Sequence, residues 1–252
     1  MTCYMCDKPA STKEHVPPKC LFPEKKDIGE DKYKKDLITV PSCPEHNTMK
    51  SDDDEFLMVS LAGMMGNNSI GYIHANTKVT RAINRSSNRL LEEAFLTRKS
   101  INIEAEENEF IKVIVGTPDV PRLENSFKHI AYGIYYHHFQ ERFEGDIKMI
   151  MGFLHSEAKN HEVFINLIKH KFELEGKEKE TFGKNQDVFY YQFLEADENN
   201  IIGLKICFYS GVEVYISFIS NDAKKPFDLS MALMNYGIKT IINLDGKTYE
   251  FN

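Results

Sequence analysis

Two pairs of metal-ligand residues near the N-terminus constrain this chain more than any other feature. Cys3 and Cys6 are separated by two residues, and Cys43 and His46 repeat that spacing further along the chain. Structural zinc takes four tetrahedral nitrogen or sulfur ligands, and paired ligands at this spacing can face one ion. The pattern therefore predicts a structural zinc site on these four residues. The alternative is a coincidence of spacing.

A second group of polar residues lies between and just after these pairs. Glu14 and His15 begin the run Glu-His-Val-Pro-Pro-Lys, and Asn47 directly follows His46. A histidine titrates near neutrality and suits a base that activates water. Carboxylate and amide oxygens suit a hard divalent cation such as Mg2+ or Mn2+. The residues predict a hydrolytic site with His15 as base, a cation on Glu14 and Asn47, and Lys50 near a phosphate.

The local geometry around Glu14 and His15 sets a condition on that site. The prolines after Val16 predict an extended segment from Lys13 to Pro18. Adjacent residues of a strand point to opposite faces, so both side chains reach one phosphate only if the chain bends. Pro17-Pro18 is expected to impose that bend.

These motifs together resemble the HNH endonucleases. Glu-His-Val-Pro-Pro-Lys is followed by a Leu-x-x-Val-x-x-Cys-x-x-His-Asn-x-x-Lys run that ends at Lys50. The resemblance covers about residues 1–60. It implies a ββα-metal core with a zinc-binding knuckle of the treble-clef type, His15 as general base and the catalytic cation on Glu14 and Asn47. The sequence departs from the family pattern at Asp36, where asparagine is usual, and at His46 and Asn47, where cysteine and histidine are commoner.

Composition and charge limit the possible partners and the compartment. The formal net charge of −7 over 252 residues disfavours broad electrostatic capture of nucleic acid. Residues 1–50 hold nine lysines and eight acids, so local lysines and a metal would have to hold the substrate. Three of the five cysteines lie at the predicted zinc site, which indicates a reducing compartment. With no signal peptide and no apolar run of about 18 residues, a cytoplasmic location is expected.

The rest of the chain predicts an α+β fold in which helices come first and an antiparallel sheet follows. Ser51 and the acids after it form a helix start, and apolar residues at helical spacing predict helices over 76–97 and 122–143. Further predicted helices span 146–155 and 161–173, and predicted strands span 37–40, 110–115, 188–193, 201–209, 212–219, 240–244 and 248–251.

Three domains are predicted from these changes of pattern. They are a zinc-bound HNH-like module at 1–60, a helical connector at 61–100, and a C-terminal α+β domain at 105–252. The boundary is placed in the polar, acidic stretch between about residues 98 and 110. The C-terminal domain is expected to regulate the module, by binding a protein partner or by self-association.

The expected function is metal-dependent hydrolysis of phosphodiester bonds in nucleic acid, double-stranded DNA rather than RNA. A nuclease that is not regulated would harm its own host, so a role in defence against foreign DNA is a further hypothesis. The alternative is a catalytically weak or inactive zinc module that binds nucleic acid or serves as a subunit of a larger complex. The unusual Asn47 favours the alternative, and the intact Glu14-His15 pair opposes it.

Overall fold

The chain divides into two compact units. The computed structural model describes residues 1–47, 51–106, 109–223 and 232–251, and the units are Met1–Glu141 and Arg142–Asn252. The predicted domain limits near residues 60 and 105 both lie inside the first unit. No helix in the described ranges combines the length and the apolar character needed to cross a membrane.

A short antiparallel hairpin carries the central motif of the first unit. Strands β1 (Thr12–His15) and β2 (Thr39–Ser42) pair so that Glu14 faces Val40 across the ladder. The predicted strand at 37–40 is confirmed, although it begins two residues later and continues through Pro41. Pro41 is tolerated there because its carbonyl accepts a hydrogen bond of 2.9 Å from the Tyr4 amide, which requires no donor from the proline.

The insertion between β1 and β2 is fixed by the helices that follow it. The carbonyl of Cys20 accepts hydrogen bonds from His74 Nε2 at 3.1 Å and from Lys78 Nζ at 2.7 Å. Arg81 donates to both carboxylate oxygens of Asp27, each at 2.7 Å. This pairing is bidentate and therefore directional. The insertion is thus held from outside the hairpin.

Six short α-helices accompany the hairpin in the described part of the first unit. The helix predicted from Ser51 is confirmed, and the prediction over 76–97 is correct as far as Ala94. Ser87 and Asn88, with φ of 52° and 70°, interrupt that stretch. The helices are α1 (Lys25–Ile28), α2 (Pro44–Asn47), α3 (Ser51–Ala62), α4 (Ser69–His74), α5 (Thr80–Arg85) and α6 (Arg89–Ala94), with a π-helical turn at Ala75–Val79.

The stretch near residues 98–110, where the boundary is predicted, contains two paired strands in its described residues. Strand β3 (Phe95–Glu106) pairs antiparallel with β4 (Glu109–Pro118), and these two strands form a sheet of their own. Polar residues alternate with Ile101 and Ile103 here, which is the period of a strand. The prediction missed β3 because it interpreted the polar, acidic character of this stretch as a boundary between domains. The strand predicted at 110–115 is confirmed inside β4.

Helix α7 (Val120–Phe139) packs the first unit together. It begins after the N-cap Asp119, whose side chain accepts from the Arg122 amide at 3.1 Å. Phe127 and Ile134 on its apolar face are fully buried. The helix predicted at 122–143 is confirmed, with slightly earlier limits.

The second unit is built on a four-stranded antiparallel sheet, which confirms the predicted C-terminal sheet. The sheet order is β5-β8-β7-β6. Helix α8 (His161–Glu175) packs on one face through Phe172, whose ring centroid lies 5.2 Å from that of Tyr215. Its strands are β5 (Gly145–Met151), β6 (Phe189–Phe193), β7 (Ile201–Phe208) and β8 (Val212–Ser220), and β9 (Thr240–Leu244) and β10 (Lys247–Phe251) form a separate hairpin.

The helix predicted at 146–155 is wrong, because this segment contains β5. Ile147, Met149 and Met151 alternate with Asp146 and Lys148, a period that fits a strand as well as a short helix. All of β5, Gly145–Met151, pairs with β8. Long-range pairing therefore decided a choice that the local sequence left ambiguous.

The contact between α7 and the hairpin gives a test of this packing. A Cβ at Gly133 would lie 2.6 Å and 2.8 Å from the two γ-carbons of buried Val16. We expect Gly133→Ala to destabilise the protein by about 1–3 kcal/mol through overpacking, although alanine is the better helix former. Thermal unfolding measures the change.

The control is Gly63→Ala, because a Cβ at Gly63 meets no atom within 4 Å. We expect that variant to melt like the wild type or slightly above it. An equal or higher melting temperature for Gly133→Ala would show that α7 does not press on Val16.

Candidate metal centre and adjoining polar site

Two local turns bring the four predicted zinc ligands to one place. In the first, the Cys3 amide donates to the Lys8 carbonyl at 3.0 Å, which closes the N-terminal turn. The amide of Tyr4, between the first two cysteines, donates to Pro41 in β2. Because β2 leads directly into Cys43 and α2, this bond sets the first turn beside the second. The helical turn of α2 then presents His46.

The ligand atoms form a tight cluster with the spacing of a tetrahedral site. The Sγ atoms of Cys6 and Cys43 lie 3.8 Å apart, and His46 Nδ1 lies 3.4, 3.5 and 3.4 Å from the Sγ atoms of Cys3, Cys6 and Cys43. Metal–ligand bonds of about 2.3 Å to sulfur and about 2.0 Å to nitrogen imply tetrahedral edges of about 3.8 Å and about 3.5 Å. The cluster can therefore hold a metal ion.

The electrostatics of the cluster favour thiolate at Cys3. Burial raises the pKa of this thiol, but hydrogen bonds with the backbone of Met5 and Cys43 outweigh it and lower the pKa of Cys3 to about 6. Burial raises the pKa of Cys6. The lowered pKa of Cys3 favours the thiolate, which is the form that ligates metals.

Helix α7 contacts the candidate metal centre through His129. The Tyr4 side chain is 1% exposed, and its hydroxyl forms a hydrogen bond of 3.3 Å with Nδ1 of His129. The His129 ring centroid lies 5.7 Å from that of the ligand His46. Burial, reinforced by the charge of Glu14, raises the pKa of Tyr4 well above its usual value. A neutral phenol therefore links the cysteine turn to α7.

Glu14 and His15 leave β1 on opposite faces. Glu14 is 4% exposed and shares its face with buried Val40, whereas His15 is half-buried and lies opposite exposed Thr39. The chain bends at residues 16–17, after both. The predicted bend therefore follows His15 and leaves the alternation between the two side chains intact.

His15 has the environment of a neutral base. Burial lowers its pKa, and the nearby ammonium of Lys19 lowers it further, because both disfavour the imidazolium. Lys19 is exposed at the end of the Glu-His-Val-Pro-Pro-Lys run. The imidazole is thus in its proton-accepting form at neutral pH.

Asn47 lies beside the strand that carries Glu14 and His15. Its Nδ2 donates to the backbone carbonyl of Lys13 at 3.2 Å. The side-chain oxygen, which is the atom suited to a cation, is not the atom used in this bond. The structure thus brings Asn47 within one residue of Glu14 along β1. Lys50, the fourth predicted member of the site, lies outside the described residues.

Two contributors to this region could not be found from the sequence. His129 is separated from Tyr4 by 125 positions, and an amphipathic helix gives no sign that one of its histidines meets a metal centre. Lys19 belongs to the quoted motif, but its effect on His15 depends on how the chain bends. The remaining two cysteines do not belong to the cluster. Cys207 is fully buried, and Cys20 lies outside the cluster, with its Sγ donating to the Asp54 carbonyl at 3.1 Å.

Comparison of the chain with protein-family models, with curated proteins and with solved structures finds no match. The interpretation of the site therefore depends on its residues and their geometry.

We expect one zinc ion per chain on the four-ligand cluster, since three thiolates and an imidazole at tetrahedral spacing suit this ion. Cys43→Ala should abolish stoichiometric zinc and unfold the first unit, because binding free energy at such a site is also folding free energy. Zinc content by mass spectrometry and circular dichroism measure both effects.

Cys20→Ala is the matched control, since it removes a neighbouring thiol outside the cluster. It should retain one zinc per chain. A folded Cys43→Ala protein with full zinc content would show that the zinc ion binds outside this cluster.

Proposed function

We propose that this chain is a metal-dependent endonuclease of the HNH type that hydrolyses phosphodiester bonds of double-stranded DNA. The observation that carries the proposal is the placement of Asn47 against β1, one residue from Glu14 and two from His15. A hairpin closed by a metal-ligand cluster holds these three residues. The same residues carry the sequence resemblance to HNH endonucleases.

In the proposed reaction His15 accepts a proton from water, and the resulting hydroxide attacks phosphorus. Its lowered pKa keeps the imidazole neutral and able to accept that proton. Exposed Lys19, next to His15, is positioned to attract the phosphate. A divalent cation held by the oxygens of Glu14 and Asn47 would neutralise charge on the phosphate and on the leaving 3′-oxygen.

The two predicted metals have different functions in this proposal, one structural and one catalytic. The four side chains of the cluster would fill all four tetrahedral positions of a zinc ion, so the cluster suits a structural zinc ion. Glu14 and Asn47 offer only oxygen donors, which suit Mg2+ or Mn2+ with coordination positions left for phosphate oxygens. A catalytic cation should therefore exchange freely while zinc is retained.

A second function is a zinc module that binds nucleic acid without cutting it. The specific observations in its favour are that Glu14 is 4% exposed and that it leaves β1 on the face opposite to His15, and both restrict its access to a cation that shares a phosphate with His15. Intact plasmid with altered electrophoretic mobility, in the presence of Mg2+ or Mn2+, would select this function. A role as a subunit of a larger complex would instead be selected by activity that depends on an added partner.

The direct test is plasmid nicking by the wild type and by His15→Ala, with Mg2+, with Mn2+ and with EDTA. We expect cation-dependent nicking by the wild type and a loss of about 10²–10⁴-fold in His15→Ala, which is the usual contribution of a general base. Zinc content and melting temperature should not change. Full activity in His15→Ala would show that another residue is the general base. The absence of nicking by both proteins would contradict the nuclease proposal.

The pH dependence of nicking tests the role of Lys19. Because its positive charge lowers the pKa of His15, activity should rise with pH through a midpoint below the ordinary histidine value of about 6.5. Lys19→Ala should shift that midpoint upward, since the imidazolium then loses a repulsive neighbour. Rate profiles between about pH 5 and pH 8 measure it.

Lys25→Ala provides the control, because it removes an exposed charge from α1 instead. Its midpoint should match that of the wild type. An unchanged or lower midpoint in Lys19→Ala would contradict the electrostatic coupling between Lys19 and His15.

A further inference from the structure

The hairpin of β3 and β4, here called the arm, has no third strand among the described residues. Its two strands form a complete two-stranded sheet, and no other strand in the described part of the chain pairs with them. The strands contain 12 and 10 residues. An isolated two-stranded hairpin is marginally stable in water, and its unpaired edges are templates for another strand. Contacts outside the first unit are therefore expected to stabilise the arm.

The two faces of the arm differ in character. Ile101 lies opposite Val113, and Ile103 belongs to the same face because it is two residues further along β3. Ile103 is 39% exposed, and Ile114 on the other face is 37% exposed. The opposite face of β3 carries a basic residue, Arg98, near its start and an acidic residue, Glu104, near its end.

This distribution of charge is complementary to itself. In a two-fold antiparallel pair of identical strands, directly opposed residues share a face, so the residue numbers of each pair sum to one even number. A two-fold axis at Ile101 places Arg98 opposite the partner's Glu104, and Glu104 opposite the partner's Arg98. One symmetric register therefore makes two ion pairs and opposes Ile101 to the partner's Ile101.

We propose that the arm joins two copies of this chain through antiparallel pairing of β3 with β3 of the partner. The result is a four-stranded sheet in the order β4-β3-β3-β4, with its two-fold axis at Ile101. The pairing occupies one edge of each arm and brings Ile101 and Ile103 of both copies onto the face that they share with Lys99. Dimerisation can be measured without a substrate, so the test of this proposal does not depend on the proposed nuclease activity.

The existing contacts of Arg98 leave it available for this pairing. Its guanidinium lies 3.3 Å from Glu92, whose side chain is 63% exposed. Such an exposed pair contributes little to stability. A cation at a strand edge can also serve to prevent pairing, and in that case reversing its charge would not dissociate any dimer. The carboxylate of Glu104 disfavours nucleic acid as the partner of this edge.

Analytical ultracentrifugation of the wild type, Arg98→Glu and Glu104→Arg tests the proposal. We expect the wild type to dimerise in a concentration-dependent manner. Each single reversal should raise the dissociation constant by about tenfold or more, since both ion pairs become like-charge contacts. An equimolar mixture of the two variants should recover the dimer, because every opposed pair in the mixed species is again of opposite charge.

Arg85→Glu is the control for net charge, since Arg85 is exposed on α5 outside the arm. It should dimerise like the wild type, and circular dichroism and zinc content should show that all variants fold. A wild type that is monomeric at every accessible concentration overturns the proposal. Dimerisation that survives both reversals, or that does not recover on mixing, overturns the pairing through β3.

Discussion

The convergence of Cys3, Cys6, Cys43 and His46 is the constraint on which the rest of the first unit depends. Strands β1 and β2 have four residues each, and so short a hairpin is not stable alone in water. The cluster ties the N-terminal turn to the end of β2 and to α2, so an ion bound there would supply free energy that the hairpin itself lacks. Asn47 directly follows a ligand and is thereby held beside β1.

Helix α7 provides the second support and explains why the first compact unit extends to Glu141. It receives the Tyr4 hydroxyl at His129, accommodates Val16 at Gly133, and reaches α3 through Arg122, whose Nε donates to Asp53 at 2.7 Å. These contacts surround the segment that presents His15. The general base proposed at His15 would have to be held in place by its neighbours, and these neighbours come from beyond the motif region.

Much of the secondary structure followed from local pattern, and the errors have one physical cause. Helices α7 and α8 were predicted because apolar residues recur at helical spacing over fifteen residues or more. Strand β3 was missed because its polar, acidic residues suggested a connection between domains, and β5 was missed because a short run with mixed polarity fits more than one period. Their pairing with β4 and β8 decided the outcome, and residues distant in sequence supply that pairing.

By itself, the sequence determined the ligand set of the metal centre, the α+β class and the C-terminal antiparallel sheet. Ligand chemistry depends on residue type and spacing, and strand or helix period depends on local alternation, so both are readable along the chain. Tertiary structure alone decided that Glu14 is buried while the charge of Lys19 acts on His15, that His129 meets Tyr4, and that β3 pairs with β4 only among the described strands. Each of these depends on contacts between residues far apart in the chain or on the path of the backbone, which local pattern does not encode.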